Sequence, residues 1–129
     1  MPTSLRDFDR RLLDAAIDGD PEQDVLAAQI DAALVASRED TGHGLYVHLL
    51  VEERAPRLAA EPPERQLKGA ARLHLSHPEL PYGAGAIIWI SERRIETIEC
   101  FVYEGTWPGD DTAFRISAAH PGERDESSA

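Results

Sequence analysis

Apolar residues recur at helical spacing at the start of this chain and at strand spacing over most of the rest. Leu5, Phe8, Leu12 and Ala16 follow a 3.6-residue period, with Leu13 and Ile17 widening the stripe. Ser4 stands before the stripe as an N-cap, with Asp7 three residues on in a box-like arrangement. Gly19 closes this helix. The sequence Asp20-Pro21-Glu22-Gln23 restarts at once, offering an Asp cap, Pro at the first helical position and Gln at the third. Leu26, Ile30, Ala33 and Leu34 carry the second stripe, with Val25 beside it. So short a link predicts an αα-hairpin.

From Thr41-Gly42-His43-Gly44 onward the period changes to two. Leu45, Val47, Leu49 and Val51 alternate with Tyr46, His48 and Leu50, which predicts a strand. The segment 52–66, EERAPRLAAEPPERQ, is charged and broken by Pro56, Pro62 and Pro63, and reads as a long Pro-rich loop with a helical turn near Arg57–Ala60. Leu67–Ser76 predicts a second strand with Ala71, Leu73 and Leu75 on its apolar face. Ala86–Ile90 and Ile95–Tyr103, separated only by Ser91-Glu92-Arg93-Arg94, predict an antiparallel hairpin. Ala113–Ser117 supplies a short fifth strand at an edge.

The expected order is α-α-β-β-β-β-β. Helices followed by strands imply the α+β class, here an αα-hairpin packed on one face of a mainly antiparallel five-stranded sheet. Residues 1–117 form a single domain in this reading, and 118–129 a disordered polar tail.

Charge then narrows the partners. The chain has 129 residues, with 24 Asp and Glu against 13 Lys and Arg, for a net charge of −11. Phosphate backbones and anionic membranes are bound through Lys and Arg, so nucleic acid and membrane partners are disfavoured. A basic protein partner is favoured by the same imbalance. One cysteine, Cys100, excludes an internal disulfide. No segment approaches the ~20 apolar residues of a membrane span, and the N-terminal stretch has no signal-peptide core, so the expected location is cytoplasmic.

Candidate chemistry is sparse. Cys100 stands between Ile98 and Val102 on an apolar face, where a thiol is core and not nucleophile. The Gly83-Ala84-Gly85 run precedes a strand instead of a helix, so the dinucleotide mechanism fails and strand-entry geometry explains it. No catalytic residues, metal ligands or cofactors are assigned. His48 and His74 can meet across neighbouring strands and, with Glu99, supply the polar groups of a pocket. At the far end of the hairpin, Tyr103, Glu104, Trp107, Asp110 and Asp111 combine large aromatics with carboxylates. Trp107 either closes one end of the core or anchors a partner inside an acidic rim.

The segment Ile95–Pro108, IETIECFVYEGTWP, resembles the closing strand of small bacterial α+β proteins found as immunity proteins in polymorphic toxin systems. Their hairpin turn commonly carries Asp-Gly or Asn-Gly where this chain has Glu92-Arg93. The resemblance implies a non-enzymatic protein-binding module, of immunity or adaptor type, that uses an acidic surface. A secretion-type chaperone acting as a homodimer is a second expectation. A third is an NTF2-like ligand-binding or enzyme domain, with His48, His74, Glu99 and Tyr103 enclosed between sheet and helices.

Overall fold

A computed structural model of the chain describes residues 1–118. Two helices, α1 (Asp7–Ile17) and α2 (Gln23–Asp31), precede strands β1 (Ala33–Asp40), β2 (Gly44–Val51), β3 (Leu73–His77), β4 (Leu80–Ser91), β5 (Arg94–Val102) and β6 (Arg115–Ala118). Among the described residues, no helix is long and apolar enough to cross a membrane. All residues of the expected tail beyond Ala118 lie outside the described part.

The class is α+β, and the two helices lie ahead of an antiparallel sheet as expected. The sheet has six strands and not five, in the order β1-β2-β5-β4-β3-β6. The additional strand is β1, in a region assigned by periodicity to the end of the second helix. Ile30, Ala33 and Leu34 satisfy a helical spacing, but Ala33 and Val35 are buried while Leu34 is exposed, which is a strand's alternation. Pairing with β2 decides between the two. Ala33 faces Val51 and Leu34 faces Leu50, so the helix stops at Asp31 and the chain turns into a hairpin.

The hairpin β4–β5 forms where predicted. Its turn residues Glu92 and Arg93 both take positive φ, 54° and 64°, the left-handed pair that a two-residue hairpin turn demands. The β5 strand then pairs with β2, so the two hairpins join at the centre of the sheet.

Several local readings change. Helix α2 starts at Gln23 with Glu22 at its cap instead of Asp20, and the expected fifth strand begins at Arg115 because Asp111–Ala113 forms a 3-10 turn. Helix α1 starts at Asp7 with Arg6 at its cap instead of Ser4, and Asp9 supplies the reciprocal contact by accepting the Arg6 N–H at 2.8 Å. Of the expected second strand Leu67–Ser76 only Leu73–Ser76 is extended, within β3. Lys68–Arg72 forms a 3-10 turn, pressed so closely on α1 that a Cβ at Gly69 would lie 1.8 Å from the Ala16 carbonyl oxygen. Arg57–Ala60 is not helical, because the Leu58 N–H is drawn away to the Arg93 carbonyl at 3.0 Å. The Pro-rich loop thus wraps the tip of the central hairpin.

Gln29 fixes that wrapping. It is fully buried on α2; its amide nitrogen donates to the carbonyls of Pro56 (2.8 Å) and Arg93 (3.1 Å), and its oxygen accepts the Ile95 N–H (2.9 Å). One side chain therefore bonds three backbone groups, one each from the loop, the hairpin turn and the buried start of β5.

The core lies between the helices and one face of the sheet. Phe8, Leu12, Leu13, Leu26 and Ile30 come from the helices, and Val47, Leu75, Ile88, Ile90 and Ile98 from the strands. Beneath α1, Arg38 turns inward from β1 to the fully buried Asp9, forming a two-pronged pair. Cys100 is buried on the same face, and burial foremost, then the charges of Asp9 and Glu99, pushes its thiol well above the usual range.

Candidate functional site

The opposite face of the sheet carries no helix among the described residues. Its residues follow from register. Leu34 pairs with Leu50 across β1 and β2, and Glu39 pairs with Tyr46. Tyr46 faces Glu99, which faces Ile87; His48 faces Thr97, which faces Trp89; Phe101 faces Gly85. Because side chains alternate, these positions share the outward side of the four strands β1, β2, β5 and β4.

The result is a broad aromatic and aliphatic surface. Leu34 is 42% exposed and Leu50 51%. Tyr46, Ile87, Trp89 and Phe101 are half-buried by one another. The Tyr46 and His48 rings stack with centroids 6.3 Å apart, and Phe101 meets Tyr103 edge to face at 5.6 Å. Gly85 makes room for that last pair. A Cβ there would come within 2.6 Å of the Phe101 ring and 2.7 Å of the Tyr103 hydroxyl. At the next bend, Gly83 takes φ +73° and passes beneath the His74 ring.

Glu99 sits at the middle of this surface. The Trp89 indole N–H donates to its Oε1 at 2.9 Å. Its charge, ahead of partial burial, raises Tyr46 above the usual tyrosine range. Among the described residues no Lys or Arg is paired with it. The cations of these strands stand elsewhere: Arg38 points inward to Asp9, and Arg94 reaches the Glu53 carbonyl at the hairpin tip.

The expected site residues divide between this face and the core. Tyr103 is 58% exposed and joins the outer aromatic surface, with Glu104 exposed beside it. Trp107 is not an anchor. It is buried, stacked on Phe114 at 4.9 Å and set against Phe8 at 6.2 Å, and its backbone N–H donates to the Gly42 carbonyl at 2.8 Å. Of its two readings, the plug is the one realised, because the 103–114 segment crosses the end of the sheet and needs an apolar fill there. The acidic rim is spent locally. Asp110 accepts from the Thr112 N–H and hydroxyl, which lowers its carboxyl below the usual range, and Asp111 pairs with Arg6 at 3.2 Å.

The alternative pocket is not assembled. Strands β5 and β4 separate β2 from β3, so His48 and His74 stand at least three strand spacings, or ~14 Å, apart. His48 and Glu99 face outward, and the space between sheet and helices where an enclosed site would lie is filled by the core. His77 is buried instead, its Nε2 2.9 Å from the Asp110 carbonyl and its Nδ1 accepting the Glu79 N–H. Among the described residues no three His, Cys, Asp or Glu side chains are grouped to hold a metal. A cavity of about 470 Å³ opens beside the edge strand, lined by Leu5, Arg6, Arg10, Asp31 and Leu34, and contains none of the expected site residues.

Sequence reasoning missed Leu34, Ile87, Trp89 and Phe101 as surface residues. The signal for three of them was present: each occupies the alternate positions of a strand whose other positions were assigned to the core. Leu34 was hidden because its strand was read as helix.

Comparison with protein-family models, with curated proteins and with solved structures finds no match.

Proposed function

We propose that this chain is a non-enzymatic protein-binding module of the immunity or adaptor kind, and that a basic protein docks on the open face of its sheet. The observation that carries the reading is the uncovered surface around Tyr46, Trp89 and Phe101. Exposed contiguous apolar surface of this kind marks an interaction site more often than it marks nothing. Aromatic rings are also the side chains most enriched where binding energy concentrates.

Charge selects the occupant. The face carries Glu39 and Glu99, with exposed Glu96 and Glu104 at its margins and no outward cation at its centre. A second copy of the chain, docked about a two-fold axis, would bring like charges together in an isologous contact. A basic partner would meet complementary charge instead. The resemblance of Ile95–Pro108 to immunity proteins points the same way.

Affinity purification from the native host, with bound proteins identified by mass spectrometry, tests the reading. The wild-type chain should retain a basic protein that Leu50→Asp does not retain. Asp24→Ala, on the helical side, should retain it equally. Equal recovery on all three forms, or recovery of no basic protein, rejects the proposal. Light scattering gives the oligomeric state, and a dimer dissociated by Leu50→Asp would assign the face to self-association instead.

A further inference from the structure

Glu99 is an unusual residue to find at the centre of an aromatic surface. A carboxylate presents about four lone-pair positions, and here Trp89 occupies one, with the Tyr46 hydroxyl beside it. Its register neighbours, Tyr46 on one side and Ile87 on the other, shield it laterally. Phe101 and Thr97 lie two residues away on its own strand and on the same face. The group is half-buried, so its charge is only partly hydrated. No protein cation compensates it among the described residues. The bond from Trp89 fixes the indole ring beside it, so the aromatic wall is set before any ligand arrives.

We infer that Glu99, Tyr46 and Trp89 form a seat for a single arginine side chain of the docked protein. A guanidinium is planar and weakly hydrated. It can lie against an aromatic face while its N–H groups point at a carboxylate. An ammonium is compact and strongly hydrated, and loses more on entering so apolar a surround. The seat therefore selects arginine over lysine. This inference deepens the docking proposal and rests on it for its biological meaning, but its chemistry is testable without any partner.

The probe is N-acetyl-arginine amide, titrated into isotopically labelled full-length protein and followed by NMR. Blocked lysine and blocked citrulline serve as controls. The expected result is a saturable shift of the Trp89 indole signal and of amides around Glu99, with a dissociation constant on the order of millimolar, as a single cation–π contact plus one carboxylate contact would give. Citrulline, which keeps the shape without the charge, should leave these signals in place. Lysine should bind more weakly.

Glu99→Gln keeps an oxygen for the indole and removes the charge. It should weaken arginine binding roughly tenfold, the difference between charged and neutral hydrogen bonding. Asp24→Asn, at an exposed carboxylate on helix α2 on the other side of the sheet, should not. An unchanged unfolding midpoint shows that Glu99→Gln still folds. Shifts spread evenly over the acidic surface, an equal response to citrulline or lysine, or full binding by Glu99→Gln each overturn the seat. If the seat fails while a basic protein is still recovered on the outer face, the docking proposal stands without it. If arginine binds and no protein is recovered, the docking proposal is the one that fails.

Discussion

The two faces of the sheet are built from the same strands and differ in what covers them. On the inner face, every second residue of β2, β4 and β5 is locked under α1 and α2, and even the polar groups there, Asp9 and Gln29, are each held by three hydrogen bonds. On the outer face, the intervening residues cover only one another, and the carboxylate at the centre is met by the neutral Trp89 and Tyr46 with no cation among the described residues. The inner face is a completed interface. The outer face has the composition of half of one.

That contrast predicts a large asymmetry in stability. Removing the Ile98 side chain to Ala opens a cavity beneath the helices and should cost about 3–4 kcal/mol in denaturant unfolding. Leu50→Ala, one strand away and facing out, should cost less than about 0.5 kcal/mol. Comparable losses at the two positions would mean that the outer face is covered after all.

The inner polar groups should behave as core. Gln29→Leu keeps the volume and removes the three hydrogen bonds this side chain makes to the loop, the hairpin turn and β5. It strands the buried Ile95 N–H, takes its side-chain donor from the Pro56 carbonyl and leaves the Arg93 carbonyl with the Leu58 N–H, and a loss of about 2–3 kcal/mol is expected. Hydrogen exchange should then rise across residues 56–61 and 92–95 before it rises in β2. A uniform change would show that Gln29 serves packing alone.

How much of this was legible in the sequence follows the same division. The inner face could be read, because burial imposes a period: Leu45, Val47 and Leu49 announced a strand and Phe8, Leu12 and Ala16 a helix. The class and the central hairpin followed from those alternations. The β1 strand could not be read, because Ala33 and Leu34 fit both periods and only pairing with β2 separates them. Gln29 was invisible for a related reason. It lies on the buried stripe between Leu26 and Ile30, but its partners are backbone groups in Pro56, Arg93 and Ile95, and no local pattern records a contact so distant in sequence. The site was half-legible. Glu99, His48 and Tyr103 were selected as polar or aromatic residues in strands, but strand order decides who their neighbours are, and β5 inserting beside β2 placed Glu99 against Tyr46 and carried His74 away. Trp107 is the converse case. Its residue type suited both an anchor and a plug, and Phe8 and Phe114 decided for the plug.

A smaller effect is expected at the glycines. Gly44→Ala would set a Cβ 2.1 Å from the Cys100 carbonyl oxygen, which is backbone and cannot move without parting β2 from β5. Gly85→Ala meets only the ends of the Phe101 and Tyr103 side chains, at 2.6 and 2.7 Å. The first should destabilise by about 2 kcal/mol or more and the second by about 1 kcal/mol or less. Gly85→Ala should nevertheless lift both rings from the strand, so it should disturb docking on the outer face more than it disturbs folding. Equal unfolding midpoints for the two variants would contradict this.

The smallest predicted effect separates the faces by the origin of their electrostatics. Cys100 and Tyr46 lie on opposite sides of the sheet, and both hold their protons more tightly than usual. For Cys100 the first cause is burial, and for Tyr46 it is the charge of Glu99. An exposed charge is screened by salt and burial is not, since the Debye length falls to about 3 Å at 1 M. High salt should therefore bring the Tyr46 titration down toward its ordinary value while Cys100 stays unreactive to thiol reagents until the protein unfolds. Glu99→Gln should lower Tyr46 in the same direction without salt. The sign of the stability change follows: a raised tyrosine pKa favours the folded state below its unfolded value near 10, and that contribution is lost as pH rises through the folded value. Tyr46 should be followed in a background where Tyr82 and Tyr103 are Phe, so that a single phenol reports. A Tyr46 titration insensitive to both salt and Glu99→Gln would mean that burial governs the outer face too, and the contrast between an open and a closed side would collapse to one of degree.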